Sequence, residues 1–351
     1  MEERVRVLIV DDSAFFRKRI REQLERHGGI VVAGEACNGR EAVDMNARLK
    51  PDLVTMDVAM PEMDGITAVR EIMRSRPTDI LMVSALTREG ARATLEALDA
   101  GAVDFLAKQS GINGDGNLAS MSLGDRVVNI AQRKHKQRTP QASAVFESRR
   151  APPPVHAVTH ARSAAVKLVV IGASTGGPVA IQRVLASLPV NYPYPVLVIV
   201  HMPAEFTATF AERLDSVCPI RVELARDGRE LRSGVVLIAP GGCQALVERR
   251  GNQFTIAIEP GGEHLYKPSV DIAFTSAARA AGGGVQAVIL TGMGADGTEG
   301  ARALKQVGST VWSQDQATSV VYGMPYSVAK AGLTDRVLAL DDIGPALAGL
   351  A

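Results

Sequence analysis

The chain is predicted to fold as two α/β domains, each built on a doubly wound sheet, with a flexible linker between them. Three observations carry the prediction. The 351 residues exceed one ordinary domain of roughly 100–200 residues and suit two or three. Short apolar runs alternate with segments of helical period both before residue 126 and after residue 166. Between them, RKHKQRTPQASAVFESRRAPPPVHAVTHARSAAVK, starting at Arg133, has few large apolar residues and consecutive prolines at 152, 153 and 154. Such a composition buries too little surface to offset the entropy of ordering, so about 135–166 is read as a tether.

In the first segment, residues 1–125, the strand candidates are VRVLIV (5–10), IVVAGEA (30–36), DLVTMD (52–57), ILMVSA (80–85) and AVDFLA (102–107). Helical spacing fills the gaps, as in Phe16-Ile20-Leu24 and Ala91-Leu95-Leu98. Such alternation describes a five-stranded parallel sheet covered on both faces. In the second segment, 167–351, the strand candidates are KLVVIGA (167–173), YPVLVIVH (194–201), IRVELA (220–225), VVLIAP (235–240), FTIAIE (254–259), AVILTG (287–292) and STVWSQ (309–314). Helices are expected near 178–187, 205–215, 270–282 and 296–306, and a hairpin around Arg249–Asn252 makes this unit mixed, though largely parallel.

Charge and cysteine content narrow the function classes. The net charge of +1 divides unevenly: residues 1–125 hold 16 Lys/Arg against 21 Asp/Glu, and 168–351 hold 14 against 16. Residues 126–167 hold 9 against one, Glu147. Two mildly acidic domains make poor nucleic-acid binders, and the basic stretch reads as a solvated tether or a strip for an acidic partner. Cys37, Cys218 and Cys243 are too far apart for a CxxC pair, which argues against a disulfide framework or a cysteine zinc site. The opening MEERVRVLIV lacks the layout of a signal peptide, and no run approaches the ~20 apolar residues of a bilayer span. A cytoplasmic protein with no membrane insertion is expected.

Functional groups of an open parallel sheet collect beyond the carboxyl ends of its strands. Asp11 and Asp12 follow the first strand, Asp57 ends the third, Ser84 lies at the end of the fourth and Lys108 follows the fifth. One such aspartate is most simply a helix cap, but three carboxylates on one edge repel unless a cation joins them, and oxygen ligands with open water positions suit Mg²⁺. A carboxylate there can attack phosphorus to form an aspartyl phosphate, with Lys108 and the Ser84 hydroxyl binding the phosphoryl oxygens. The segment resembles a two-component receiver domain over about residues 4–125, through VDDS (10–13), MDVAMPEMDG (56–65), VSA (83–85) and FLAK (105–108). The resemblance implies Asp57 as phosphoacceptor, Asp11, Asp12 and Asp57 as Mg²⁺ ligands, and Ser84 and Lys108 as phosphoryl sensors. Gln109 stands where the family usually has a proline, so a trans bond and a locally different loop are expected there.

In the second segment, KLVVIGASTGGP (167–178) reads as strand, tight turn and helix start, with Gly172 and Gly176 around Ser174 as G-x-S-x-G. A glycine-rich turn can equally cradle a phosphate, but a dinucleotide site needs a glycine where Ser174 stands and an acid where the next strand ends in His201. His201 falls at the same edge as Ser174 if the strands are parallel; His264, in a polar loop, is the spare candidate. AVILTGMGADGTEG (287–300) supplies Asp296 as the orienting carboxylate of a triad, a position that helix capping would also explain. The order Ser174, His201, Asp296 differs from the Ser–Asp–His order of α/β-hydrolases.

Across nearly its whole length the chain resembles the chemotaxis protein-glutamate methylesterases, the CheB family. The matching stretches are IGASTGGP (171–178), VHMP (200–203), IAPGG (238–242), KPSVDIAFTSAA (267–278), LTGMGADG (290–297) and VVYGMP (320–325). The resemblance implies Ser174 as nucleophile, His201 as general base and acid, and Asp296 as orienting carboxylate. It also sets Thr175 beside the nucleophile and makes the Met293 N–H an oxyanion donor, with no cofactor at this site. The implied reaction is hydrolysis of glutamyl methyl esters on methyl-accepting chemoreceptors, releasing methanol, with deamidation of glutamines at the same site. A chemotaxis histidine kinase is the implied phosphodonor, and the receiver would restrain the esterase until Asp57 is phosphorylated. Gln244 stands where that family often has histidine, a change expected to touch receptor contacts alone. Two rivals are a response regulator with a binding output, which lacks a helix-turn-helix pattern here, and a Ser-His-Asp hydrolase of another ester or amide.

Overall fold

The computed structural model describes residues 4–108, 122–138 and 165–350, with side chains of the middle span described to Ala131. In the first segment the elements are β1 (Val5–Val10), α1 (Ala14–Glu25), β2 (Ile30–Ala36), α2 (Gly39–Leu49), β3 (Leu53–Asp57), α3 (Gly65–Ser75), β4 (Asp79–Ser84), α4 (Arg88–Asp99), β5 (Asp104–Ala107) and α5 (Leu123–Arg138). The strands lie in the order β2-β1-β3-β4-β5, all parallel. Three helices open on capping side chains: Asn38 accepts from Glu41 N, Asp64 from Thr67 N and Thr87 from Gly90 N. The inferred helical stripes bury Ile20 and Leu24 on α1 and Ala91, Leu95 and Leu98 on α4.

One boundary moves. Residue 125, the expected end of the first domain, falls inside α5, where Leu123, Val127, Ile130 and Ala131 join the core formed by Val5, Val7, Ile9, Ile20 and Leu24. Burying Val127 and Ile130 stabilises that packing by about 1.5–3 kcal/mol each, so the packed unit continues at least to Ala131. The basic residues that follow disguise this apolar stripe in the sequence. The rest of the expected linker, 139–164, and Gln109 lie outside the described residues.

The second segment runs β6 (Leu168–Ala173), α6 (Gly177–Ala186), β7 (Val196–Val200), α7 (Ala204–Val217), β8 (Arg221–Leu224), β9 (Glu230–Leu231), β10 (Val235–Ile238), β11 (Cys243–Arg250) and β12 (Gln253–Pro260). It continues with α8 (Val270–Ala281), β13 (Val285–Ile289), α9 (Thr298–Gln306), β14 (Thr310–Gln314), α10 (Met324–Lys330), β15 (Arg336–Leu338) and α11 (Leu340–Ala348). Seven strands form one sheet in the order β15-β14-β13-β6-β7-β10-β8, with every pairing parallel. The antiparallel component is segregated into a separate sheet, β11-β12-β9, whose hairpin closes at Arg250 opposite Gln253. The chain reverses its lateral progress between β6 and β13, the place where an open α/β sheet leaves a crevice at its carboxyl edge.

The two segments pack against each other. The Phe105 ring on β5 stacks on Phe206 of α7, centroids 4.5 Å apart and planes at 11°. Arg88 on α4 donates to Glu212 of α7 at 2.7 Å, and Arg213 of α7 pairs with Asp99. Val321 enters the apolar cluster that contains Val83 and Leu106, with Met293 and Val320 packed against it.

Candidate functional site

Two groups of predicted residues meet at strand ends. On the first sheet, one carboxylate oxygen each from Asp11, Asp12 and Asp57 lies within 4.8 Å of the others. Asp11 and Asp57 are buried and Asp12 is exposed. Lys108 Nζ sits 2.8 Å from Asp11 Oδ2 and 2.8 Å from Asp57 Oδ2, as the cation a crowded acidic edge requires. Burial opposes the charge on Lys108, but these two carboxylates outweigh it and raise its pKa. Burial raises the pKa of Asp57, against the pull of Lys108 and of the Val58 N–H that donates to its Oδ1 at 2.7 Å. Ser84 is buried at the end of β4, with its hydroxyl 3.3 Å from the Gly90 carbonyl and 3.4 Å from that of Ala85. The donor set of three carboxylates, one with open access to water, fits a hard divalent cation such as Mg²⁺.

On the second sheet, register brings the triad candidates together. Ala173 on β6 pairs with Val200 on β7, so Ser174 and His201 leave adjacent strands side by side, and His201 N donates to Ala173 O at 3.2 Å. On the other flank Ile289 pairs with Gly172, and Ser174 N donates to Thr291 O at 3.0 Å. The loop after β13 thus starts beside the serine. Gly292 is essential to that approach: a Cβ there would lie 2.9 Å from Ser174 Cβ and 2.4 Å from Met324 Sδ. Gly176, with φ of +75°, completes the turn where a side chain would meet Val320 at 2.6 Å. Thr291 stitches both loops, its Oγ1 donating toward Thr175 O at 2.9 Å and accepting from Val321 N at 3.0 Å.

His201 Nε2 lies 2.8 Å from Asp296 Oδ2, which also accepts from Val270 N at 2.7 Å. Asp296 Oδ1 accepts from Ser269 Oγ at 2.9 Å, Asp271 N at 2.9 Å and Gly297 N at 3.1 Å. The carboxylate therefore does more than cap: α9 begins at Thr298, and Asp296 is tied chiefly to the start of α8 and to the imidazole. Burial pushes Asp296 upward, yet the imidazole and the N–H donors prevail and hold its pKa below the ordinary value. With Asp296 ionised, Nε2 carries the hydrogen and His201 Nδ1 remains the basic nitrogen; it is buried and has no hydrogen-bond partner among the described residues. His264, the spare candidate, is exposed in its loop.

Sequence reasoning missed three contributors and misassigned a fourth. Asp271 accepts from Gly297 N at 2.9 Å and Gly300 N at 2.7 Å, anchoring the loop that carries Asp296, and burial raises its pKa to about 6. Ser269 caps α8 and donates to Asp296; its place before an apolar helix is a readable capping signal. Tyr266 stacks on His201, centroids 4.2 Å apart and planes at 7°. Gln244, expected to affect receptor contacts alone, is instead 2% exposed and faces inward, bonded to Tyr266 O and Ser269 N. Thr175 is buried, and burial raises the pKa of the Asp104 carboxylate on β5 against the pull of Arg126, the Gly176 N–H and the Thr175 hydroxyl. Met293 follows Gly292 and lies half-buried against the first segment's apolar cluster.

An acidic, lysine-bearing parallel sheet joined to an α/β sheet with serine, histidine and aspartate at one edge defines a response regulator with a hydrolase output. The pattern of the response regulator receiver domain matches residues 7–114, and that of the CheB methylesterase matches residues 169–347. A protein-glutamate methylesterase/protein-glutamine glutaminase of Alkalilimnicola ehrlichii is 50% identical, covering 99% of this chain and 100% of the relative. One from Pseudomonas aeruginosa is 51% identical, with 97% of each chain covered. Among solved structures, the Thermotoga maritima CheB methylesterase catalytic domain covers 53% of this chain and 99% of its own length, at 40% identity and a TM-score of 0.52. The chain belongs to the CheB methylesterase family.

Proposed function

We propose that the protein hydrolyses glutamyl methyl esters of methyl-accepting chemoreceptors and deamidates receptor glutamines to glutamate, under control of phosphorylation at Asp57. The observation that carries this reading is the His201–Asp296 pair, held 2.8 Å apart at the sheet edge where Ser174 turns out of β6. Ser174 Oγ attacks the ester carbonyl carbon as His201 Nδ1 takes its proton. The Met293 N–H stabilises the oxyanion, and Thr175 supports the nucleophile's turn. The imidazolium returns the proton to the departing methoxide, which leaves as methanol, or to the carboxamide nitrogen of a glutamine, which leaves as ammonia as its C–N bond breaks. Water, deprotonated by His201, then cleaves the acyl-enzyme to glutamate and Ser174. Asp296 keeps the imidazole in the tautomer that leaves Nδ1 basic and stabilises its cation.

The unit up to α5 acts as the receiver, the stretch from its end to 166 as linker and 167–351 as the esterase. A chemotaxis histidine kinase supplies the phosphoryl group to Asp57. Asp11, Asp12 and Asp57 would hold Mg²⁺, which neutralises phosphoryl oxygens when bound; Lys108 and Ser84 bind those oxygens directly. A cytoplasmic location suits both partners, and no described helix is long and apolar enough to cross a membrane. The electrostatic pull of Thr175 and Gly176 on Asp104, and the apolar cluster that Val321 shares with Val83 and Leu106, support a receiver that covers the serine until phosphorylation shifts the packing.

Two results follow. Asp57→Asn abolishes stimulation by a small-molecule phosphodonor and leaves basal hydrolysis in place; methanol release that still rises with the phosphodonor contradicts Asp57 as acceptor. Arg213→Glu sets like charges against Asp99 and weakens the covering contact, raising unstimulated methanol release about three- to tenfold, the population change of roughly 1 kcal/mol. Unchanged or lower unstimulated release opposes the covering role.

A further inference from the structure

We propose that Gln244 and Tyr266 are positioning residues for the His201–Asp296 pair, acting through the segment 266–269. The inference rests on the reading of His201 as base and Asp296 as its orienting carboxylate. The His201 ring is hydrogen-bonded at one edge only, through Nε2, while Nδ1 is without a partner among the described residues. A ring held at one edge is free to tilt about that bond, and Nδ1 would swing with it. Tyr266 fixes the plane, lying parallel at 4.2 Å and 7°. The face of its ring also favours the imidazolium that forms as Ser174 loses its proton.

Three residues along, Ser269 Oγ donates to Asp296 Oδ1 at 2.9 Å. Both ends of the segment hang from a single side chain. Gln244 Nε2 donates to Tyr266 O at 2.8 Å, and Gln244 Oε1 accepts from Ser269 N at 2.8 Å. Gly242 N donates to Lys267 O at 3.0 Å, so β11 and the turn before it grip the segment along its length. At its far end the Tyr266 hydroxyl reaches the loop of Met293, since a Cβ on Gly294 would lie 3.0 Å from it. One buried amide therefore sets the plane of the base and the hydrogen bonding of its carboxylate together.

The chemistry specifies which residues can replace Gln244. A carboxamide presents one donor and one acceptor at fixed separation without titrating; a neutral imidazole has the same complement, a carboxylate accepts only, and leucine does neither. Assays of methyl-ester hydrolysis on the full chain at about pH 8.5, where an imidazole is neutral, separate these cases. Gln244→Leu lowers kcat about 30-fold with KM within about twofold, the signature of a displaced catalytic group. Gln244→His recovers to within about threefold of the parent and Gln244→Glu does not, because only the former restores the donor. Tyr266→Leu lowers kcat about tenfold, again with little change in KM.

A leucine variant at 244 with kcat near that of the parent, or a glutamate variant as active as the histidine variant, overturns the proposal. If melting curves show that Gln244→Leu does not fold, Tyr266→Leu decides: parent-like kcat overturns the role of the stack. Ser174→Ala measured in parallel isolates the premise. Retained hydrolysis in Ser174→Ala contradicts the reading of the site, whereas an inactive Ser174→Ala beside parent-like positioning variants contradicts this inference alone.

Discussion

Ser174→Ala is expected to lower methanol release about 10⁴- to 10⁶-fold, with and without phosphodonor, as removal of a serine nucleophile does in triad hydrolases. The alanine fits where the serine stands: Ser174 is held by its backbone, with N donating to Thr291 O at 3.0 Å and O accepting from Gly177 N at 2.7 Å. Folding and phosphorylation at Asp57 therefore persist, and a melting curve together with phosphodonor labelling checks both. Turnover within about tenfold of the parent would assign the chemistry to another group.

The second large effect is that of Asp296→Asn. Every described partner of the carboxylate is a donor: Ser269 Oγ, the N–H groups of Val270, Asp271 and Gly297, and His201 Nε2. An asparagine must turn its NH₂ toward some of them. If it faces Nε2, the imidazole accepts there and its hydrogen moves to Nδ1, the nitrogen that has to receive the serine proton. A loss of about 10⁴ in kcat is expected, comparable to the same change in serine proteases. Stability falls too, because a buried donor left facing a donor costs roughly 1–3 kcal/mol, read as a lower melting temperature. Parent-like kcat with a parent-like pH profile would remove Asp296 from the mechanism.

Much of this arrangement is written in apolar runs. Strands buried on both faces, such as VLVIV at 196–200 and LVVIGA at 168–173, are continuous in sequence, and their parallel pairing carries Ser174 and His201 to one edge without any long-range information. The acidic edge of the first sheet is legible for the same reason, since Asp11, Asp57 and Lys108 each adjoin or end such a run. Other parts leave no local signal. β9 is a two-residue strand, Glu230–Leu231, so the separate antiparallel sheet cannot be counted from the sequence. The short helices α10 and α11 span seven and nine residues, and Pro345 sits inside the latter.

The supporting shell of the site was hidden by long-range pairing. Gln244 is a polar residue at an inward position of β11, and the partners that satisfy it there, Tyr266 and Ser269, lie more than 20 residues away. Asp104 looks like the polar start of a strand, and only the packing of the two segments brings it to Thr175 and Gly176. Charge identifies neither position, because what satisfies each group lies in a different element.

The most direct test of the account is methanol release from methylated receptor membranes, measured with and without a small-molecule phosphodonor and Mg²⁺. Release that is present at a basal level and rises with the phosphodonor is the predicted result, joining the esterase, its receptor substrate and receiver control in one observation. No release under either condition, from a folded protein whose Asp57 accepts phosphate, would contradict the account.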